Sequence, residues 1–250
     1  RAQVRPEDVD MVVCATFTPD YFFPSTACKI QHALGCTGAC AFDVSAACAG
    51  FVYGLSIADS FIRSGRSQTV LIVGSEVISR TLDWTDRGTC ILFGDAAGAV
   101  VVQASDREEK GIAAVALSSN GAMADILYLP AWGEERYMRM RGNEVFKHAV
   151  RLMSDVVLDV CSQARVGVGQ VDLLIPHQAN MRIIQGLAGR LGVPMEKVVT
   201  NIEEYGNTSS ASIPLALDEA WQKGRVGDGT LVAMTALGGG VTVGGALVRF

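Results

Sequence analysis

Runs of apolar residues, bounded by glycine and polar positions, alternate along the chain with longer stretches of helical period. Residues 9–17 are almost continuously apolar, as a strand buried on both faces requires, and 26–34 read as a short helix. Residues 39–45 read as a second strand. Residues 48–64 form a helix with only Asp59 and Arg63 charged, so it must be covered on most sides. Strands follow at 69–74 and 97–103. The order then recurs: a strand at 111–117, an amphipathic helix at 143–164, and a strand at 171–175. A helix at 182–191, a strand at 198–202, a helix at 209–223 and strands at 230–235 and 244–248 complete it.

Short matches fall in the same order in both halves. Val9-Asp10-Met11-Val12-Val13 resembles Val171-Asp172-Leu173-Leu174-Ile175, Leu34-Gly35 resembles Leu191-Gly192, and Gly98-Ala99-Val100-Val101 resembles Gly245-Ala246-Leu247-Val248. The pattern predicts an α/β fold of two pseudo-equivalent halves, residues 1–105 and 106–250. About 60 residues precede the second Val-Asp strand but only eight precede the first. By that comparison the first half lacks an opening strand and helix, the strand being central in its half-sheet. The expectation is an N-terminally incomplete chain, unstable or inactive by itself.

Composition narrows the partners. Apolar residues make up 49% and charged residues 19% of 250, enough for a sizeable core. The net charge of −5 includes no polybasic patch, which argues against nucleic acid. No signal-peptide pattern and no apolar run of roughly 20 residues is present, so no membrane span is expected. The seven cysteines form no CxxC pair; those other than Cys48 are expected to be buried, reduced thiols of a cytoplasmic protein. A zinc site from Cys28, Cys36, Cys40 and Cys48 has unfavourable spacing, and no metal is expected.

Candidate chemistry sits at three strand ends. At Asp43-Val44-Ser45-Ala46-Ala47-Cys48-Ala49-Gly50 a strand stops, small residues turn, and a helix begins at the cysteine. Open α/β folds bind ligands at that edge, and a helix N-terminus favours a thiolate and offers N–H groups to an oxyanion. A small buried residue at a tight helix start fits the same pattern. Of three histidines, His32 and His148 lie within predicted helices, whereas His177 follows a strand. Asn207 follows a predicted strand and Gly206, where a capping asparagine is equally at home. Gly238-Gly239-Gly240 also follows a strand; its backbone can approach a ligand, or simply turn. In a duplicated fold all of these face one edge.

Residues 43–50, Pro176-His177-Gln178-Ala179-Asn180, Gly206-Asn207-Thr208-Ser209 and residues 238–250 resemble β-ketoacyl-acyl-carrier-protein synthase III. Phe23-Pro24-Ser25, Asp86-Arg87-Gly88-Thr89 and Phe93-Gly94-Asp95 extend the resemblance over the whole chain. It implies a thiolase-like fold with five α-β-α-β-α layers. It implies an acyltransferase in which an acyl-CoA, often acetyl-CoA, acylates Cys48. Malonyl-acyl-carrier protein then loses CO2 and its carbanion attacks the acyl thioester, starting fatty-acid synthesis. His177 and Asn207 would donate to the malonyl thioester oxygen, and Cys48 and Gly239 N–H groups would form the oxyanion hole. Arg87 would stack on the CoA adenine, and Asn143, Phe146, Ala179 and Asn180 would line the pantetheine channel. Lys147 and Arg182 would meet the acidic carrier. Phe23 would reach the acyl pocket of a partner subunit, since the family forms homodimers. The CoA thioester is a substrate, and no cofactor is implied. The chain departs from the family where an opening tryptophan is absent. It departs again at Leu237, Val241 and Val243, which stand where aromatics are usual and imply a looser or differently shaped pocket. A related CoA-thioester condensing enzyme of secondary metabolism, and an inactive fragment or partner of such an enzyme, are the alternatives.

Overall fold

The computed structural model describes residues 2–250. In chain order the elements are β1 (Met11–Ala15), α1 (Thr26–Leu34), β2 (Cys40–Val44), α2 (Gly50–Arg63), β3 (Thr69–Glu76) and β4 (Ala96–Gln103). There follow β5 (Gly111–Ser119), β6 (Leu127–Tyr128), β7 (Arg139–Met140), α3 (Gly142–Gln163), β8 (Leu173–Pro176) and α4 (Met181–Leu191). The chain closes with α5 (Ile202–Tyr205), α6 (Ser212–Gln222), β9 (Leu231–Gly238) and β10 (Thr242–Arg249).

One sheet runs β2-β1-β3-β4 and the other β5-β10-β9-β8. In the first, β1 is parallel to β2 and β3, and β4 is antiparallel; in the second, β8 and β9 are parallel and β10 is antiparallel. Strand alternation divides the core. Met11, Val13, Val70 and Ile72 on one sheet, and Leu173, Ile175, Val232 and Met234 on the other, face a central layer containing Phe51, Leu55, Ile213 and Leu217 from α2 and α6. Val12, Cys14, Leu71 and Val73 face outward onto Ala27 and Ile30 of α1. Leu174, Leu231 and Ala233 face outward onto Met153 and Val157 of α3 and Ile184 and Leu187 of α4. This gives the five layers the resemblance implies, and it explains why α2 is apolar nearly all round.

The equivalence of the halves extends to atoms. Asp10 Oδ2 accepts from Thr69 N–H at 2.8 Å, and Asp172 Oδ2 from Leu231 N–H at 2.8 Å, each fixing the start of the neighbouring parallel strand. Gly35 and Gly192 end their helices in left-handed conformation. The helices predicted from 48 and 209 each begin instead with a tight 3-10 turn, at Ala47–Ala49 and Ser209–Ala211. Ala47 and Ser209 take φ of 45° and 50°, which swings both turns into contact at the centre of the molecule.

Three expectations are corrected. The strand predicted at 198–202 is only a bridge between Val198 and Leu174. The Gln178 amide donates to Val199 O and accepts from Asn201 N–H, taking bonds a continuing strand would use, and the chain turns into α5. The counterpart of the strand thought central in the first half is β5, which lies at a sheet edge beside β10 alone. The cysteines are all free, but Cys28 and Cys40 are exposed and only Cys14, Cys36, Cys48 and Cys161 are buried. No helix among the described residues is long and apolar enough to cross a membrane.

Candidate active site

Cys48 lies on the turn between β2 and α2, and the backbone packs tightly around it. A Cβ at Gly238 would sit 2.7 Å from Cys48 N and 2.9 Å from Ala46 O, so only glycine lets β9 approach. Thr242 Oγ1 donates to Ala46 O at 3.1 Å and holds the turn from the other side. Burial has a chemical consequence that opposes the helix N-terminus. The Cys48 thiol is pushed up to about 12 by desolvation, the nearby Glu76 adding to it and hydrogen bonds from Ser209 and the Cys48 N–H opposing. Burial thus opposes the thiolate that the helix start favours.

His177 follows β8 and is 1% exposed. Its Nδ1 lies 2.7 Å from Ser212 Oγ, which accepts from Gln178 N–H at 3.3 Å. In the tautomer where Ser212 donates to Nδ1, the ring proton sits on Nε2. Burial lowers the imidazole to about 3, so it stays neutral at physiological pH, one ring nitrogen a donor and the other an acceptor.

Asn207 follows α5 and Gly206 rather than a strand. Gly206 has φ of 67°, and the Asn207 backbone is clamped by donation to Leu92 O at 2.8 Å and acceptance from Gly94 N–H at 3.0 Å. Ser209 N–H donates to Asn207 Oδ1 at 2.9 Å. That bond fixes the orientation of the buried amide and leaves its NH2 group as a donor.

Cys48, His177 and Asn207 line one cavity of about 280 Å³, with Gly88, Leu92, Phe93, Leu127, Met140 and Leu237. Asn143, Phe146, Ala179, Asn180 and Arg182 also line it. The Arg182 guanidinium lies 5.4 Å from the Phe146 ring centroid, and Asn180 Oδ1 caps α4 by accepting from Arg182 N–H at 2.9 Å. A second cavity, of about 620 Å³, also has Cys48 in its wall and is lined by Gly239, Gly240, Phe17, Phe93, Leu127 and Met138. Arg87 and Lys147 are exposed and line neither cavity. Phe23 is 85% exposed; it is Phe22, stacked on Trp132 at 4.9 Å, that lines the larger cavity. Val241 and Val243 are packed in the core under α3, so of the three departures from the family only Leu237 reaches a cavity. No cluster of three metal-ligating residues occurs among the described residues.

Sequence reasoning missed Ser212, Ser209 and Glu76. Glu76 is 2% exposed at the end of β3. An acid closing an apolar strand run at the catalytic edge was the available signal.

Residues 42–121 match the family described as 3-Oxoacyl-[acyl-carrier-protein (ACP)] synthase III, and residues 161–250 match its C-terminal part. The beta-ketoacyl-[acyl-carrier-protein] synthase III of Aquifex aeolicus is 50% identical over 249 residues, covering 100% of this chain and 79% of the relative. The chain belongs to the β-ketoacyl-acyl-carrier-protein synthase III family. A crystal structure of the Aquifex synthase III superposes with a TM-score of 0.95, covering 99% of this chain and 79% of that one. The Pseudomonas aeruginosa synthase III is 46% identical with a TM-score of 0.93, over 97% of this chain and 77% of that one. The priming β-ketosynthase of the R1128 polyketide pathway is 38% identical with a TM-score of 0.93, over 99% and 76%. The thiolase-like fold of a synthase III is thereby this chain's fold.

Proposed function

We infer that this synthase III catalyses the decarboxylating condensation of an acyl-CoA with malonyl-acyl-carrier protein. Cys48 sulfur attacks the acyl thioester, CoA leaves as a thiol carrying the proton that Cys48 gives up, and the acyl group rests on Cys48. Malonyl thioester enters by the same channel and loses CO2. Charge develops on its thioester oxygen, where Nε2–H of neutral His177 and the Asn207 amide donate. Donors placed where charge appears only in the transition state lower the barrier by about 3 kcal/mol each. The resulting carbanion attacks the acyl-Cys48 carbonyl, whose oxyanion is held by Cys48 and Gly239 N–H. Collapse expels the Cys48 thiolate, which takes a proton from solvent, and releases β-ketoacyl-carrier protein. CO2 loss supplies the carbanion, so the reaction as written calls on no cofactor.

The single observation that carries this reading is one cavity shared by Cys48, His177 and Asn207. Asn143, Phe146, Ala179 and Asn180 are assigned to the pantetheine arm, Arg87 to the adenine, and Lys147 and Arg182 to the carrier. The functional unit is assigned as a homodimer in the cytoplasm, each chain a duplication with halves 1–105 and 106–250. A second reading, priming of a polyketide, is favoured by the likeness to the R1128 priming enzyme. The purified chain, given malonyl-carrier protein and a panel of acyl-CoAs, is expected to release CO2 and CoA together and form β-ketoacyl-carrier protein. The preferred acyl group separates the two readings. Acyl-CoA hydrolysis without need of malonyl would overturn both.

A further inference from the structure

Glu76 is a buried acid that the condensation as written never uses. It closes β3, a strand of the first half, and both of its oxygens are engaged. Oε2 accepts from Thr18 Oγ1 at 2.6 Å, Thr16 Oγ1 at 3.2 Å and Phe17 N–H at 3.2 Å. Thr18 Oγ1 in turn accepts from Val77 N–H at 2.9 Å, so the carboxyl is braced both from the end of β1 and from its own strand. Oε1 reaches across to the second half, where Ser209 Oγ lies at 3.2 Å and Ser210 Oγ at 3.0 Å. Ser210 Oγ also lies 2.8 Å from Ala15 O, and its one proton serves one acceptor at a time, so Ser209 is the steadier link.

What Oε1 holds is the turn that carries Asn207. Ser209 N–H donates to Asn207 Oδ1 at 2.9 Å while Ser209 keeps φ of 50°. That conformation is uncommon for a residue with a Cβ and persists where the surroundings impose it. Here they belong to β3. A Cβ at Gly74 would sit 2.3 Å from Ser210 O, so the strand lies hard against the turn, and two residues further on Glu76 meets both serine side chains. The amide of Asn207, a second-half residue, is thus oriented from the first half.

We propose that Glu76 is a positioning residue for decarboxylation: through Ser209 it fixes the turn that aims the Asn207 amide at the malonyl thioester oxygen. It touches neither substrate nor the reacting atoms, and it acts on the one step that uses Asn207. A donor displaced by about 1 Å loses most of its hold on a transition state, while ground-state binding scarcely changes. The loss therefore falls on kcat and not on KM. Its upper bound is the loss that removal of the Asn207 side chain itself causes.

The proposal rests on the reading of Asn207 as a donor, and the test separates the two. Glu76→Gln and Ser209→Ala are made in the parent and in Asn207→Ala. Each protein is assayed for CO2 release from malonyl-carrier protein and, separately, for acylation of Cys48 by acyl-CoA. Glu76→Gln keeps the volume, but Phe17 N–H requires an acceptor on its side, which turns the new NH2 group toward the serines. Ser209→Ala keeps the N–H bonded to Asn207 and removes only the hydroxyl, so it carries the test should Glu76→Gln fold poorly. In the parent each change lowers kcat for decarboxylation about tenfold or more, with KM for malonyl-carrier protein within about twofold. Acylation of Cys48, which does not draw on the Asn207 amide, falls less than about threefold. In Asn207→Ala, where no amide remains to aim, the same changes cost less than about twofold in decarboxylation. A general loosening of the fold would lower both half-reactions and would add to the Asn207→Ala loss. Equal loss in both half-reactions, full additivity with Asn207→Ala, or decarboxylation within about twofold of the parent in the folded variants overturns the positioning role. If Asn207→Ala itself leaves decarboxylation unchanged, the donor reading falls, and the positioning role with it.

Discussion

Replacing Asn207 by aspartate removes one donor from the site while leaving its shape almost intact. In the parent, Oδ1 accepts from Ser209 N–H at 2.9 Å, and the backbone is tied to Leu92 and Gly94. A carboxylate keeps that acceptor and those backbone bonds, so the chain should fold. What changes is the atom facing the cavity, where an NH2 donor becomes a negative oxygen. Loss of one oxyanion-type donor costs about 3 kcal/mol, or roughly 150-fold in rate at 1.36 kcal/mol per tenfold. The negative charge adds to this, because enolate charge develops beside it in a buried site. Decarboxylation of malonyl-carrier protein, followed by labelled CO2, should therefore fall at least about 100-fold. Acylation of Cys48, which does not place its oxyanion at Asn207, should fall less than about tenfold. A folded Asn207→Asp protein decarboxylating within fivefold of the parent would falsify the donor role.

Other outcomes follow from the same geometry. His177 is held well below its ordinary value, so between pH 6.5 and about 3 the unfolded chain binds a proton that the folded chain does not. Stability should fall as pH falls through that window, and His177→Gln should flatten the slope of Tm against pH; an identical slope would contradict its burial as a neutral ring. Gly238→Ala puts a methyl 2.7 Å from Cys48 N, and overpacking of that kind costs about 1–3 kcal/mol, to be read in urea unfolding. Charge reversal at Lys147 or Arg182 should raise KM for the carrier protein, more so at low salt, and raise KM for acyl-CoA less. An equal effect on both substrates would place those residues elsewhere in the reaction.

The architecture was legible because each buried strand and each sandwiched helix leaves a one-dimensional mark. Residues 9–17, the nearly uncharged helix after Cys48, and the paired Val-Asp and Leu-Gly motifs were enough to draw two stacked half-domains. What local pattern could not convey was side-chain interference with the backbone. Gln178 ends a strand two loops away by taking its hydrogen bonds, and the equivalent edge position of β5 depends on pairing with β10, which no periodicity reports. The site was legible as far as residue types and strand ends go, for Cys48 and His177. Asn207 was found for a partly mistaken reason, since it follows a short helix. The helix terminus at Cys48 is visible in sequence, and the depth of burial that opposes it is not. Ser209 and Glu76 lie 133 positions apart and meet at 3.2 Å, a pairing no local pattern reports.

The most direct measurement is peptide-level mass spectrometry of the protein exposed to acyl-CoA and then to malonyl-carrier protein. The account predicts an acyl group on the peptide containing Cys48, discharged only when malonyl-carrier protein is added and CO2 is released. An acyl group found on another of the seven cysteines, or one that stays in place while product forms, contradicts it.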